Sequence, residues 1–407
     1  MEKISSEFIR AIPKTDLHIH LDGSLRISTL IELAKMKNIQ LPSYTEEGLR
    51  EILFKDRYND LGDYLKGFAY TVAVLQDAEG LERMAYELAV DSFSEGVRYI
   101  EPRLAPQLHI NEEMEMPMVL KAVDKGFKRA TAQFNNRPEV KSKKEPYYAY
   151  GIIVCALRMF RKGYSRYFDN LLSVQKYAPE KNVFGIASLE MARAAVKIRD
   201  ELGLYIVGFD LAGQENGYPA HDHTRAYRHA HKNFLHKTVH AGEAYGAESI
   251  FEAITDLHAD RIGHGYYLFD KDKITNPGIE DREKYISELS EYIADRRITI
   301  EICLTSNEQT NPELKSLSMH PVKKMIEAKI STTFCTDNRL VSMTSVSREI
   351  ERAVGEVGLT PKQLKDCVFN GFKRSFIPST YLEKRDYVRS VIDYYTRMEE
   401  KFTGKSK

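Results

Sequence analysis

The sequence has no excess charge of either sign. Lysine plus arginine and aspartate plus glutamate number 59 each among the 407 residues, so the formal net charge is zero. A protein that binds a polyanion usually carries a basic excess or a basic patch. The short basic run at residues 141–144 is typical of a solvated loop. We therefore expect no nucleic-acid partner.

Long apolar runs and closely spaced cysteines are also absent. The N-terminus lacks the apolar core of a signal peptide, and no apolar run reaches the length of a membrane span. No two cysteines have CxxC spacing, and three lie in apolar strand-like runs, so we expect buried free thiols in a reducing compartment. The cysteines are Cys155, Cys303, Cys335 and Cys367. These features predict a cytoplasmic protein with no membrane partner.

Strand-like and helical patterns alternate along the chain. The β-rich runs lie at residues 14–20, 97–103, 148–157, 205–212, 237–242, 260–264, 298–305 and 329–336. Several are almost continuously apolar, as expected for strands that are buried on both faces. Amphipathic helical patterns lie between most of them, for example at residues 78–95, 188–203 and 346–357. This alternation predicts the α/β class and a (β/α)8 barrel of the TIM type, which tolerates insertions.

The expected organisation is one compact domain of residues 1–407. A helical insertion is predicted at residues 38–76, after the first strand. One face of this insertion carries four apolar or aromatic residues: Leu61, Tyr64, Leu65 and Phe68. Residues 267–285 form a polar connection, and residues 400–407 are expected to be a frayed tail. The sequence leaves the oligomeric state open.

Four short motifs stand where strand-like runs end. They are residues 15–20 (TDLHIH), 240–243 (HAGE), 263–265 (GHG) and 336–338 (TDN). The carboxyl ends of barrel strands converge on one site, so these segments are expected to meet. Alternate side chains share a face of a strand, which would point His18 and His20 in the same direction.

Three histidines and one aspartate in these motifs are candidate metal ligands. They are His18, His20, His240 and Asp337. Each has an alternative interpretation when taken alone, because the histidines can be barrel-lining or hydrogen-bonded core residues and the aspartate can cap a helix. Together they fit a catalytic site with one open position, for which one zinc ion per chain is expected. Cobalt, iron or manganese would suit the same ligand types.

Two further residues are candidates for proton chemistry beside the ion. Glu243 is a candidate general acid, because burial beside the site would favour its protonated form. Its alternative is a surface carboxylate or a residue of the first turn of a helix. His264 lies between two glycines and could orient or deprotonate the attacking water. Its alternative is an ordinary turn histidine.

The motifs, in this order, resemble those of adenosine deaminases of the amidohydrolase superfamily. The matching segments are residues 15–24 (TDLHIHLDGS), 210–213 (DLAG), 240–243 (HAGE), 261–265 (RIGHG), 303–307 (CLTSN) and 336–337 (TD). The resemblance implies deamination of adenosine and 2′-deoxyadenosine to inosine nucleosides and ammonia. It implies zinc on His18, His20, His240 and Asp337, with hydroxide attacking purine C6. Glu243 would protonate N1, while His264 and Asp337 would steer the hydroxide.

The substrate contacts are implied by the same resemblance. Gly213 would contact purine N3, where a side chain would obstruct the ring. The face with Leu61, Tyr64, Leu65 and Phe68 would form an apolar gate over the base and sugar, or would simply pack on the barrel. Asp22 would accept a hydrogen bond from the ribose 5′-hydroxyl and repel a 5′-phosphate. Asn338 departs from the family's second aspartate, although its amide can still donate to N7.

Two other functions are compatible with the residues. The first is deamination of another aminopurine, such as adenine or a modified adenine nucleoside, because Asn338 alters a contact to the base. The second is a non-catalytic purine-binding barrel. Glu243 and His264 argue against that function, because a protein that only binds does not need them. In every case the expected partner is a small-molecule purine.

Overall fold

Parallel strands form the centre of the protein. The computed structural model describes residues 4–59 and 61–404. Within those ranges the strands are β1 (Lys14–His20), β2 (Val97–Leu104), β3 (Ala149–Tyr150), β4 (Ile152–Leu157), β5 (Ile206–Ala212), β6 (His236–Ala241), β7 (Arg261–His264), β8 (Thr299–Ile302) and β9 (Ser331–Phe334). Each strand-like run of the sequence contains a strand, and β3 and β4 share one run. The two-residue strand β3 pairs only with β2 in this described sheet.

The strands follow one another around the sheet and close it. Their order is β1, β2, β4, β5, β6, β7, β8 and β9, and neighbouring strands are parallel. The His20 N–H donates to the Asp337 carbonyl at 2.7 Å, and the Asp337 N–H donates to the His18 carbonyl at 2.8 Å. These bonds join the two edges, so the predicted (β/α)8 barrel is confirmed. Three predicted ligands lie at the seam where the barrel closes.

Helices connect the strands around the barrel. They are α1 (Ser6–Ala11), α2 (Ile27–Met36), α3 (Glu46–Ile52), α4 (Leu61–Tyr64), α5 (Lys66–Val74), α6 (Ala78–Ser94), α7 (Met116–Asn135), α8 (Pro138–Lys141), α9 (Arg166–Val174), α10 (Glu180–Leu202), α11 (Thr224–Lys232), α12 (Ala247–Thr255), α13 (Arg282–Arg296), α14 (Leu304–Thr310), α15 (Val322–Glu327), α16 (Val346–Arg352), α17 (Pro361–Arg374) and α18 (Tyr381–Thr403). The helical patterns at 78–95 and 188–203 correspond to α6 and the second half of α10. The pattern at 346–357 contains α16 and a π-helical turn, Ala353–Val357.

Local signals in the sequence explain where a typical helix begins and which face it buries. The side chain of Asp77 accepts a hydrogen bond from the Gly80 N–H at the start of α6. Leu81, Met84 and Leu88 follow at helical spacing, and all three are buried. The apolar face therefore packs against the barrel while the charged face remains outside.

The predicted insertion contains α3, α4 and α5, and residues of α4 and α5 line the cavity at the mouth of the barrel. The connection at 267–285 contains 3₁₀ turns, Tyr266–Phe269 and Lys271–Lys273, and the start of α13. In the expected tail, α18 continues to Thr403, while residues 405–407 lie outside the described part of the chain.

The barrel interior contains buried charges as well as apolar side chains. Arg103 on β2 donates to Asp210 and Glu301, both at 2.9 Å. Arg261 on β7 donates to Glu301 at 2.6 Å and also to Glu101. All five side chains are buried. Burial of a charge is costly unless the charge is paired, and here three carboxylates outnumber two guanidinium groups. The excess negative charge favours a cation nearby.

The four cysteines are free and buried, as predicted. Burial raises the pKa of the Cys367 thiol to about 12 and raises the pKa of the other three well above the ordinary value. These thiols are therefore in the protonated, unreactive form. Among the residues described, no helix combines the length and the apolar character needed to cross a membrane.

Candidate active site

The four predicted motifs meet at the carboxyl ends of the strands. Ligand atoms of His18, His240, His264 and Asp337 all lie within 4.8 Å of one another, and all four residues are buried. His20 adjoins this group, because its Nε2 is 3.2 Å from His240 Nε2 and 3.4 Å from Asp337 Oδ1. This cluster of histidines and a carboxylate fits a metal site.

Carboxylates hold the outer nitrogens of two of these histidines. His18 Nδ1 lies 2.8 Å from Glu301 Oε2, and His240 Nδ1 lies 3.1 Å from Asp210 Oδ2. In each ring the other nitrogen, Nε2, therefore faces the cluster. His18 Nε2 is buried and has no hydrogen bond to any described residue. Proteins commonly orient a metal-binding histidine through a carboxylate on its far nitrogen, which also raises the basicity of the ring. The unmatched Nε2 is therefore suited to a cation.

The surroundings also set the charge of the imidazoles. Burial holds the pKa of His20 well below its ordinary value and lowers the pKa of His240, which favours the neutral rings that bind metals. Burial also acts to lower the pKa of His18. The nearby carboxylates of Asp337 and Glu301 outweigh it, so the pKa of His18 is raised. The carboxylates around the His18 ring therefore favour a positive charge at this position.

Asp337 presents one oxygen to the histidines, and its other oxygen accepts hydrogen bonds from side chains on α14 and α4. Its Oδ1 lies 3.4 Å from Nε2 of both His18 and His20. Its Oδ2 accepts hydrogen bonds from the Ser306 hydroxyl at 2.6 Å and the Tyr64 hydroxyl at 3.5 Å. The φ angle of 60° places Asp337 in the left-handed region, where residues other than glycine are uncommon. Such backbone strain is concentrated at functional sites in proteins.

Glu243 faces the cluster from a loop that a second glutamate holds. The Glu215 carboxylate accepts hydrogen bonds from the four backbone N–H groups of residues 242–245, at 3.1, 3.0, 2.6 and 3.2 Å. It also accepts one from the Ser249 hydroxyl at 2.6 Å. Burial raises the pKa of Glu243 to about 8, and nearby carboxylates add to this effect. Its Oε1 lies 3.9 Å from His264 Nε2. A proton donor therefore lies beside the cluster near neutral pH.

A cavity of 640 Å³ opens above the cluster, within the usual size range for small-molecule sites. Its walls include His20, Glu243 and the predicted substrate-binding residues Asp22, Leu61, Tyr64, Leu65, Phe68, Gly213 and Asn338. A larger groove of 980 Å³ lies between α13 and α15, and the clustered side chains do not line it. The smaller cavity is therefore the candidate substrate site, because it alone of these two contains the reactive groups.

Asp22 lines this cavity, and it and the neighbouring His109 carry buried polar atoms without a described partner. Asp22 is buried, its Oδ1 lacks a hydrogen-bond partner among the described residues, and burial raises its pKa to about 7. His109 Nε2, also without a described partner, lies 3.9 Å from Asp22 Oδ2. Buried polar atoms are normally hydrogen-bonded, so these atoms suit a polar group of a ligand.

Gly213 has a φ angle of 93°, which favours glycine. The nearest protein atom to a Cβ built there would be the Arg158 backbone nitrogen at 3.8 Å. Backbone conformation, and not crowding by the protein, accounts for glycine at this position. The predicted clash with a purine ring stays a prediction.

Asn338 and Tyr64 contact each other beside the cluster. Asn338 Nδ2 donates to the Tyr64 hydroxyl at 2.8 Å, which leaves one amide N–H for a ligand. Asn338 Oδ1 faces Gly23, where a Cβ would lie only 2.0 Å from it. The Tyr64 hydroxyl also lies 2.7 Å from Ser342 Oγ. Tyr64 thus has a polar role that the prediction of an apolar face did not include.

Several residues that hold the site were not predicted to have this role. Glu301 stands between Ile300 and Ile302, and a single carboxylate within an apolar strand is a signal that it has a buried partner. Asp210 and Ser306 lie in motifs that the sequence does display, but their partners come from other strands. Glu215 has no distinctive pattern around it.

Comparisons with known proteins identify the family of the chain. A family model described as adenosine deaminase matches residues 13–394. Adenosine deaminase 1 of Streptomyces coelicolor is 34% identical over 376 residues, which cover 92% of this chain and 85% of the relative. Adenosine deaminase of Mycobacterium avium is 35% identical over 375 residues, covering 91% of this chain and 92% of the relative.

Solved structures share the fold. An adenine deaminase from Arthrobacter aurescens has a TM-score of 0.71 and 22% identity, with 95% of this chain and 100% of that chain covered. An amidohydrolase from Burkholderia ambifaria with bound Zn has a TM-score of 0.76 and 18% identity, with coverages of 98% and 95%. An Arabidopsis N6-mAMP deaminase has a TM-score of 0.71 and 24% identity, with coverages of 95% and 99%. The family match and the close relatives together show that the chain belongs to the adenosine deaminase family, whose members are hydrolases of carbon–nitrogen bonds in cyclic amidines.

Proposed function

We propose that the protein is a zinc-dependent deaminase that converts adenosine and 2′-deoxyadenosine to the corresponding inosine nucleoside and ammonia. The observation that supports this most directly is Glu243, a buried acid with a raised pKa beside a histidine–aspartate cluster. A pocket that only binds a purine does not require a protonated carboxyl at this position. The names of the relatives from Streptomyces coelicolor and Mycobacterium avium support the same substrate.

The proposed zinc ligands are His18, His20, His240 and Asp337. Nitrogen and oxygen donors with one open position fit catalytic zinc. The carboxylates on His18 and His240 direct Nε2 of both rings toward the cluster, as binding requires. The chemistry that zinc supplies when bound here is the activation of water near neutral pH.

Glu243 supplies the proton that the purine ring needs. Addition of an oxygen nucleophile to C6 moves electrons onto N1, and protonation of N1 removes the resulting charge. The bond between C6 and the exocyclic amino nitrogen then breaks, the amino group leaves as ammonia, and C6 becomes a carbonyl. One water is consumed: one of its two protons leaves with ammonia, and the other restores the Glu243 carboxyl, whose own proton remains on N1. His264 and Asp337 orient the attacking oxygen.

The substrate contacts that we propose all line the cavity. Asp22 Oδ1 accepts a hydrogen bond from the ribose 5′-hydroxyl, and its carboxylate form disfavours a 5′-phosphate. The Gly213 backbone reaches purine N3, and the free amide N–H of Asn338 donates to N7. The residues that cover the base and sugar are Leu61, Tyr64, Leu65 and Phe68.

A second candidate is deamination of another aminopurine, such as adenine or a modified adenine nucleoside. Asn338 favours it, because an amide replaces the aspartate expected beside N7. The solved structures of similar fold include proteins named as an adenine deaminase and an N6-mAMP deaminase. We also propose that residues 1–407 work as one domain, including the insertion at 38–76. The buried free thiols suit the reducing cytoplasm as its location.

A comparison of substrates tests the proposal. Purified zinc-loaded protein is mixed separately with adenosine, 2′-deoxyadenosine, adenine, adenosine monophosphate and N6-methyladenosine. Hydrolytic removal of the 6-amino group is followed as a loss of absorbance at about 265 nm. We expect the highest kcat/KM with the two unmodified nucleosides. A higher kcat/KM with adenine or a modified aminopurine would favour the second candidate, and no turnover of any of them would reject both.

A further inference from the structure

The side chains of Asn307 and His320 form a buried relay behind His264. Asn307 on α14 places Nδ2 at 3.1 Å from His264 Nδ1, and its Oδ1 lies 3.1 Å from His320 Nε2. His320 Nδ1 in turn accepts a hydrogen bond from the Val322 backbone N–H at 3.1 Å. His264, Asn307 and His320 are each at most 2% exposed, so solvent does not compete for these bonds.

The direction of the relay is fixed at its far end. Val322 is the first residue of α15, and the first N–H groups of a helix have no carbonyl partner within that helix. A backbone N–H is always a donor, so His320 Nδ1 has to be the acceptor. A neutral histidine that accepts at Nδ1 carries its hydrogen on Nε2. His320 therefore donates to Asn307.

The same polarity passes through the amide to the active site. Asn307 Oδ1 accepts from His320, so the amide NH₂ faces His264 Nδ1. Turning the amide over would place N–H against N–H at His320, so the bond at His320 alone sets the orientation of the amide. His264 Nδ1 is then an acceptor, and the hydrogen of its ring lies on Nε2. That hydrogen is on the side of the ring that faces Glu243, 3.9 Å away.

We propose that Asn307 and His320 are positioning residues that hold His264 as a hydrogen-bond donor to the attacking oxygen. Since neither ring nitrogen is then free to accept a proton, His264 orients the nucleophile and does not act as its base. Glu243 becomes a carboxylate once it has protonated N1. This carboxylate then accepts the proton that the water loses. The inference rests on the proposed deaminase function, and it also leaves His264 outside the ligand set, because an Nε2–H cannot bind a metal.

The tautomer is measured directly by nitrogen NMR. The holoenzyme is labelled with ¹⁵N-histidine, and the signals of His264 are assigned by their loss in His264→Gln. We expect a proton-bearing Nε2 and a bare Nδ1. The reverse pattern would overturn the relay, and it would do so whether or not the protein deaminates adenosine.

Kinetics of a pair of variants test whether the amide donor of Asn307 is needed for turnover. Asn307→Asp keeps the shape of the side chain but replaces the donor that faces His264 with an acceptor. We expect kcat to fall by at least ~10²-fold, the scale of one lost donor to a developing charge, with KM within about threefold and metal content unchanged. The matched control is Asn311→Asp, the same change at a residue that contacts Tyr267 outside the relay. A kcat for Asn307→Asp within about threefold of the control would overturn the proposal.

His320 provides a rescue test that does not alter the residue next to His264. His320→Gln retains an amide donor toward Asn307, whereas His320→Leu removes it. We expect the glutamine variant to keep kcat and the Nε2–H signal of His264, and the leucine variant to lose both in part. Equal kcat and equal spectra in the two variants would show that His320 acts only by packing. An inactive parent protein that keeps the expected tautomer would reject the deaminase function and support the relay.

Discussion

Replacement of Glu243 by glutamine removes the proposed acid while keeping the size of the side chain. Burial raises the pKa of this carboxyl from an ordinary value of 4.5 to about 8. At about pH 7 roughly nine in ten such groups are protonated, compared with roughly one in 300 for an ordinary glutamic acid. The environment therefore increases the available acid by ~10²-fold. A lost general acid typically costs ~10²–10⁴-fold, so we expect Glu243→Gln to lower kcat by at least ~10²-fold.

The raised pKa of Glu243 also predicts how activity changes with pH. In the proposed mechanism the protonated form of Glu243 is the active acid, and this form predominates below a pKa of about 8. Activity of the unaltered protein should therefore fall as the pH rises through about 8, by about tenfold per unit well above it. Initial rates of adenosine loss, followed by absorbance between about pH 6 and 10, measure this limb. The residual activity of Glu243→Gln should lack it, because an amide does not ionise.

Two measurements make this prediction refutable. Glu248→Gln is the matched control, since Glu248 lies five residues further along, at the start of α12, and bonds to backbone N–H groups of residues 275 and 276. Zinc content by elemental analysis shows whether Glu243→Gln keeps the ion. Near-normal kcat in Glu243→Gln at full zinc occupancy would refute the assignment of the acid, and so would an alkaline limb that the variant retains.

The remaining predictions concern the metal, the sugar and the loop that carries the acid. His18→Ala should lose metal affinity by more than the ~10–100-fold typical of a supporting residue, together with activity, and full occupancy by elemental analysis would contradict the ligand assignment. Asp22→Ala should raise KM for adenosine more than for adenine; an equal change for both would show that Asp22 does not contact the sugar. Glu215→Gln should turn an amide NH₂ toward donors at residues 242–245 and destabilise the protein by about 1–3 kcal/mol, measured by denaturant unfolding. An unchanged midpoint and kcat in that variant would show that Glu215 does not hold the loop.

The fold and the composition of the site could largely be predicted because their signals are local. A buried parallel strand requires an almost continuous apolar run, and an amphipathic helix requires apolar residues at a spacing of three or four. The barrel then brings the end of every strand to one rim. His240 and Asp337, 97 positions apart in the chain, were expected at one site for that reason alone. The contact between His240 and His20 is an example of this convergence.

The hydrogen-bonding partners of the site could not be predicted in the same way. Glu301 bonds His18 across 283 positions, and no periodicity relates the two. Glu215 binds the loop of Glu243 through backbone N–H groups, which are present in every sequence and therefore give no pattern. Tyr64 was predicted as part of an apolar face, but its hydroxyl points inward to Asn338. Such contacts depend on the packing of distant segments to within a fraction of an ångström.

The sequence by itself determined the alternation of strands and helices, and hence the side chains that meet at the mouth of the barrel. Only the tertiary structure decided how far Glu243 is desolvated and which side chains face the two ring nitrogens of His264. The physical reason is that both depend on desolvation and on the direction of individual hydrogen bonds. A residue acquires these properties from neighbours that the folded chain brings to it.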